Sequence, residues 1–131
     1  METAKNFRKR NAILEVVRGT TAHPSADMVY ADLQQDHPDI SRATVYRNLA
    51  LFKSQGVIAS VGTVAGVERF DGNTVPHVHF ICNRCNAVID LPEMAVPQEL
   101  CNQAAVESGG RVDLCQLTFT GVCSDCCCAS Q

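Results

Sequence analysis

The chain has 131 residues, 46% of them hydrophobic, no Trp and a net charge of -3. It is long enough for one real core or two small ones, and no apolar run approaches the ~18 residues that a membrane span needs. The start, METAKNFRKRNAILEVV, lacks the apolar core of a signal peptide, so the expectation is a cytoplasmic protein with no membrane partner. In that compartment its eight cysteines stay reduced and serve metals or redox chemistry rather than a disulfide framework. Charge divides unevenly: residues 1–70 hold nine Lys/Arg against seven Asp/Glu, and residues 71–131 hold two against seven. The basic half is the one suited to a polyanion.

Apolar residues Phe7, Ile13, Leu14, Val16 and Val17 predict a first helix over 7–18, stopped by Gly19. Ser25 caps a second, with Asp27 in its first turn and Val29, Tyr30 and Leu33 as its apolar face, ending before His37-Pro38. Ser41 caps a third helix, in which Val45, Leu49 and Phe52 fall at i, i+4, i+7, and Gly56 terminates it. Its opposite face carries Ala43, Arg47 and Ala50 flanked by Tyr46, and Ser41 to Lys53 holds three basic residues and no acid. Small residues around an arginine let a helix enter a groove closely, so Ser41, Arg42, Ala43, Thr44, Tyr46 and Arg47 are the candidate contacts to double-stranded DNA.

Segments 57–61 and 67–70, joined by Gly62 to Gly66, read as a hairpin, which completes a winged helix-turn-helix. Asp71-Gly72-Asn73-Thr74 is a turn-rich linker where composition shifts from basic to acidic and cysteine-rich. Two domains are expected, 1–72 and 73–131. The second should run as a strand from Val78 to Cys82, a return through Ala87 to Leu91, a helix over 95–108 with Leu100, Ala104 and Ala105 inside, and a long strand from Arg111 to Val122.

The stretch Val-Pro-His-Val-His-Phe-Ile-Cys-Asn-Arg-Cys, residues 75–85, sets His77 and His79 directly before Cys82 and Cys85. Side chains alternate along a strand, so the two histidines share one parity and Cys82 has the other; two metal sites are expected. Cys82-x-x-Cys85 and Cys123-x-x-Cys126 form two pairs suited to a closed tetrahedral Zn²⁺ site, with Cys127 and Cys128 leaving the register of the second pair open. Cys101 and Cys115 lie at apolar positions and read as small core residues. Asp71 upstream and Asp90 on the returning strand add two carboxylates to the histidines, a nitrogen and oxygen set suited to Fe²⁺, Mn²⁺ or Zn²⁺.

His23-Pro24-Ser25-Ala26-Asp27, Ala43-Thr44-Val45-Tyr46-Arg47-Asn48-Leu49, Arg69-Phe70-Asp71, His77-x-His79-Phe80-x-Cys82-x-x-Cys85, Asp90 and Gly121-Val122-Cys123-x-x-Cys126 are the landmarks of a known pattern. Over nearly its whole length the chain resembles the ferric uptake regulator family of dimeric, metal-dependent repressors. The resemblance implies a regulatory Fe²⁺ or Mn²⁺ held by His23, Asp71, His77, His79 and Asp90, with His23 a ligand that spacing alone does not reveal. Asp at both carboxylate positions resembles the peroxide-responsive branch, in which oxidant formed at Fe²⁺ attacks ligand histidines, here His23 and His77. Arg47 stands where several peroxide-responsive members carry Asn, and the histidine that many members have before the last Gly-x-Cys is absent.

The sequence therefore predicts an α+β protein: an N-terminal winged helix-turn-helix DNA-binding domain and a C-terminal small α/β dimerisation domain with structural zinc. Its expected function is metal-dependent repression at operator DNA as a homodimer, with hydrogen peroxide as signal and no catalytic residues. An iron, manganese or zinc uptake regulator insensitive to peroxide is the alternative within the family. A zinc-ribbon interaction module leaves the first 70 residues without a purpose. A thiol oxidoreductase would want its Cys-x-x-Cys at a helix N-terminus, whereas both pairs here sit at strand ends.

Overall fold

The computed structural model describes residues 3–75 and 77–127. The chain divides into two compact units, Met1–Thr74 and Val75–Gln131.

The first unit holds α1 (Ala4–Arg18), α2 (Ala26–Leu33), α3 (Arg42–Ser54), β1 (Ala59–Val64) and β2 (Val67–Asp71). Thr3, Ser25 and Ser41 cap the three helices, each side-chain oxygen accepting from a backbone N–H three residues on. The stop of α3 is a Schellman motif: Gly56 takes a left-handed φ of 73° while its N–H donates to Lys53 O and that of Val57 to Phe52 O. The stripe Val45, Leu49 and Phe52 is buried against Ile13 and Val17 of α1, Val29 and Leu33 of α2, and Ile40, Ile58 and Phe70. Three helices and a hairpin on one core make the winged helix-turn-helix.

The hairpin turns later than the glycine pattern suggests. Gly62 forms a β-bulge within β1, with φ 106° and the register slipping between Ser60 and Gly62, and the reversal falls on Ala65-Gly66, both at positive φ. Gly72 is required sterically, because a Cβ there would lie 2.7 Å from Arg18 Cα.

The second unit holds β3 (Val78–Cys82), β4 (Val88–Leu91), α4 (Gln98–Ser108) and β5 (Thr118–Gly121). The sheet order is β4-β3-β5, with β4 antiparallel and β5 parallel to the central strand. The long strand expected over 111–122 shortens to Thr118–Gly121, which pairs with His79 to Cys82 of β3; just before it Leu117 O still reaches the ladder, accepting from His79 N–H at 3.3 Å. The helix starts after Pro97 rather than at 95, since a residue preceding proline is disfavoured in a helix. Leu100 and Ala104 are exposed rather than inside, and no described residue of α4 is buried. Cys101 and Cys115 are half-buried instead of core residues.

Candidate metal centres

The sulfur site belongs to the second unit alone. Cys82 closes β3, Cys85 lies within a tight turn closed by Asn86, which takes φ 63° and donates its N–H to Cys82 O, and Cys123 and Cys126 sit on a second turn after β5. The four sulfur atoms all lie within 4.8 Å of one another. Cys85 and Cys123 sulfurs are 3.7 Å apart, against about 3.8 Å for the edge of a tetrahedron with Zn–S bonds of ~2.3 Å. The register left open in the sequence resolves toward Cys126: Cys127 is exposed and stands outside the cluster, and Cys128 falls outside the described residues.

Backbone N–H groups of Cys85, Cys123 and Arg84 donate to Cys82 Sγ at 3.4–3.5 Å, and they hold its thiol down to about 6. Cys126 is pushed up to about 12, first by the neighbouring sulfur of Cys123 and then by burial. Four thiols gathered this closely cannot all ionise against one another, so the cluster fits a cation that compensates thiolate charge.

In the first unit, His23 and Asp71 face each other. His23 Nε2 is 3.2 Å from Asp71 Oδ2, and both side chains are almost fully buried, at 1% and 8% exposure. His23 holds a left-handed backbone, φ 54°, unusual for a residue with a Cβ and strained by an estimated ~1–2 kcal/mol. Its conformation is fixed from both sides. Arg69 donates through Nε to the His23 carbonyl and through Nη2 to the Ala22 carbonyl at 2.8 Å, while Phe70 N–H donates to Pro24 O at 2.9 Å. His23 and Asp71 are thus set by one strand: β2 carries Asp71 and clamps the loop that aims His23. Arg69 stands in the sequence only as part of a family landmark, and its role is not legible there because its forked donor matters only once the 22–24 loop is folded onto β2.

In the second unit, His79 pairs directly with Asp90 across β3 and β4, and His77 precedes the strand. Asp90 Oδ1 lies 2.9 Å from His77 Nε2 and 3.2 Å from His79 Nε2, with the two rings 4.2 Å apart. His77 Nδ1 is 2.7 Å from Val75 O.

The candidate DNA contacts line α3. Ala43, Tyr46 and Arg47 are exposed, Thr44 is half-buried, and Ser41 is committed to capping. Arg47 shares a shallow polar pocket with Asn6, Lys9 and Arg10 of α1. Arg42 and Tyr46 both bond to Asp27, a residue absent from the sequence-based set of contacts.

A winged helix followed by a small zinc-type cysteine unit with a His/Asp cluster defines the class of metalloregulatory DNA-binding proteins. The ferric uptake regulator family model matches residues 2–120, and the chain belongs to that family. It is 36% identical to the peroxide operon regulator of Bacillus subtilis, over 90% of this chain and 81% of that protein. To the peroxide-responsive repressor PerR of Staphylococcus aureus it is 34% identical, over 90% and 79% respectively. Among solved structures it resembles the Campylobacter jejuni peroxide stress regulator, with a TM-score of 0.78, 25% identity, and coverage of 93% of this chain and 91% of that one.

Proposed function

We propose that the chain is a metal-dependent transcriptional repressor that responds to hydrogen peroxide by oxidation of its own ligand histidines. The observation that carries this reading is the donor set: His23 on Asp71 at 3.2 Å, and His77 and His79 on Asp90 at 2.9 and 3.2 Å, with Asp at both carboxylate positions. The similarity to proteins named peroxide operon regulator and peroxide-responsive repressor supports it.

His23, Asp71, His77, His79 and Asp90 would hold the regulatory ion, and Cys82, Cys85, Cys123 and Cys126 the structural Zn²⁺. Fe²⁺ held there would supply activation of hydrogen peroxide to a strong oxidant, which Mn²⁺ on the same ligands would not. His23 and His77 receive the oxygen: one peroxide oxygen ends on a ring carbon and the other leaves as water. The oxidised ring is a poorer donor. With ligands proposed on both sides of the linker in sequence, losing one would release a constraint between the DNA-binding and dimerisation units, and operator affinity would fall by the differential metal binding of the two states. The protein is its own stoichiometric reagent, not an enzyme.

A second copy of the chain is the partner that best suits the second unit. Leu100, Val106, Leu114 and Phe119 are 47%, 80%, 64% and 41% exposed, an apolar surface that a homodimer would cover. Val106→Asp should shift the protein to monomer in sedimentation; a persistent dimer would place the interface elsewhere. A cytoplasmic location accords with seven described cysteines that form no disulfide.

The test is to expose Fe²⁺-loaded and Mn²⁺-loaded protein to hydrogen peroxide, measuring operator binding and peptide masses. The iron form should lose DNA binding with one oxygen atom added to the peptide carrying His23 or His77, and the manganese form should retain it. Equal loss in both forms, with zinc released and the histidine peptides unmodified, would assign sensing to the thiols instead. No loss in either form would make the protein a metal uptake regulator.

A further inference from the structure

Two of the candidate base-reading side chains of α3 converge on a single carboxylate oxygen from α2. Arg42 Nη1 donates to Asp27 Oδ1 at 2.6 Å, and the Tyr46 hydroxyl donates to the same atom at 3.2 Å. Arg42 also lies over the Tyr30 ring, 4.7 Å from its centroid. Asp27 is the only acid in the first turn of α2 and is capped into place by Ser25.

The cluster is open to solvent, with Arg42 and Asp27 side chains 61% and 55% exposed. Exposed ion pairs contribute little to folding, and a carboxylate beside a face meant for phosphates opposes generic DNA binding. Asp27 therefore costs affinity for polyanions without a matching gain in stability. What it does supply is orientation: a long, rotamer-rich arginine and a tyrosine hydroxyl are held in one arrangement before DNA arrives, so less freedom is lost on binding.

We propose that Asp27 is a positioning residue for DNA recognition, fixing Arg42 and Tyr46 so that α3 discriminates between sequences rather than merely binding a polyanion. The proposal rests on α3 being the recognition helix. It makes opposite demands on two kinds of DNA, which neither a structural role nor a simple charge effect does.

The probes are a duplex enriched from a randomised library by the wild-type, Mn²⁺-loaded protein, and a scrambled duplex of equal composition, both at fixed salt. Asp27→Ala should lose roughly tenfold or more on the enriched duplex while holding or gaining affinity for the scrambled one. Tyr46→Phe should lose specificity in the same sense, and the double variant should lose less than the product of the two. Independently of DNA, the Tyr46 hydroxyl ionises above its usual range, through desolvation and then the Asp27 hydrogen bond and charge. Ring-resolved NMR titration should show it moving down in Asp27→Ala. Equal changes on both duplexes, or an unmoved Tyr46 titration, overturn the role of Asp27. Arg47→Ala separates the two levels: if it lowers the specificity ratio and Asp27→Ala does not, Asp27 alone is wrong, and if neither does, α3 is not the reading helix.

Discussion

The ring of His77 is held between two oxygens: Nδ1 lies 2.7 Å from the Val75 carbonyl and Nε2 lies 2.9 Å from Asp90 Oδ1. A carbonyl oxygen only accepts, so Nδ1 carries the proton and donates it. That leaves the Nε2 lone pair aimed at a carboxylate, two acceptors facing each other, an arrangement stable only with a positive charge between them. A divalent cation there, with His79 as a further donor, would satisfy it.

Asp90→Asn tests that relationship. An amide can turn its NH₂ toward Nε2 and satisfy the ring without any cation, so Mn²⁺ affinity measured by electron paramagnetic resonance titration should fall by at least about tenfold. Folding should persist. Unchanged Mn²⁺ affinity in a folded Asp90→Asn protein would remove Asp90 from the ligand set.

If the five proposed ligands share one ion, Arg69→Ala removes no donor atom yet should weaken Mn²⁺ binding. Without its fork on the Ala22 and His23 carbonyls, the left-handed His23 relaxes and the imidazole is no longer aimed beside Asp71. Loss of such an outer support typically lowers metal affinity by about 10–100-fold. Arg69→Lys should recover little, because one ammonium cannot reproduce a planar fork across two carbonyls. Full affinity in Arg69→Ala would show that the loop holds itself.

The cysteine register is open to direct metal analysis. Cys126→Ser should lose bound zinc and lower thermal stability, whereas Cys127→Ser should keep about one zinc per chain. The reverse result would mean that the second turn closes one residue later than the sulfur positions indicate.

The sequence exposed whatever repeats locally. The Val45, Leu49 and Phe52 stripe, the caps at Ser25 and Ser41 and the cysteine pairs all act over a few residues, and all are where their spacing put them. His23 could not be found that way: its signal is a contact with Asp71, 48 positions along the chain, and only family resemblance supplied it. Gly62 misled because a bulge and a turn ask the same conformational freedom of glycine. The Arg111 to Gln116 alternation misled because a strand needs a partner as well as a pattern. Asp27 was legible as a helix-start acid, and its bonds to Arg42 and Tyr46 of the next helix, 15 and 19 positions along, were not.

Among the described residues, the buried apolar positions of the second unit are Val78, Cys82, Val88 and Cys123. Half of that interior is sulfur destined for a metal, so hydrophobic burial alone is too small a reserve to order it. The two ions then differ in rank as well as in chemistry. Zinc on the four cysteines would be a component of assembly, taken up as the chain folds, and the sheet that presents His77, His79 and Asp90 would depend on it. On the proposed function, a cell short of zinc would make this polypeptide without the platform for its second ion, whatever its supply of iron or manganese.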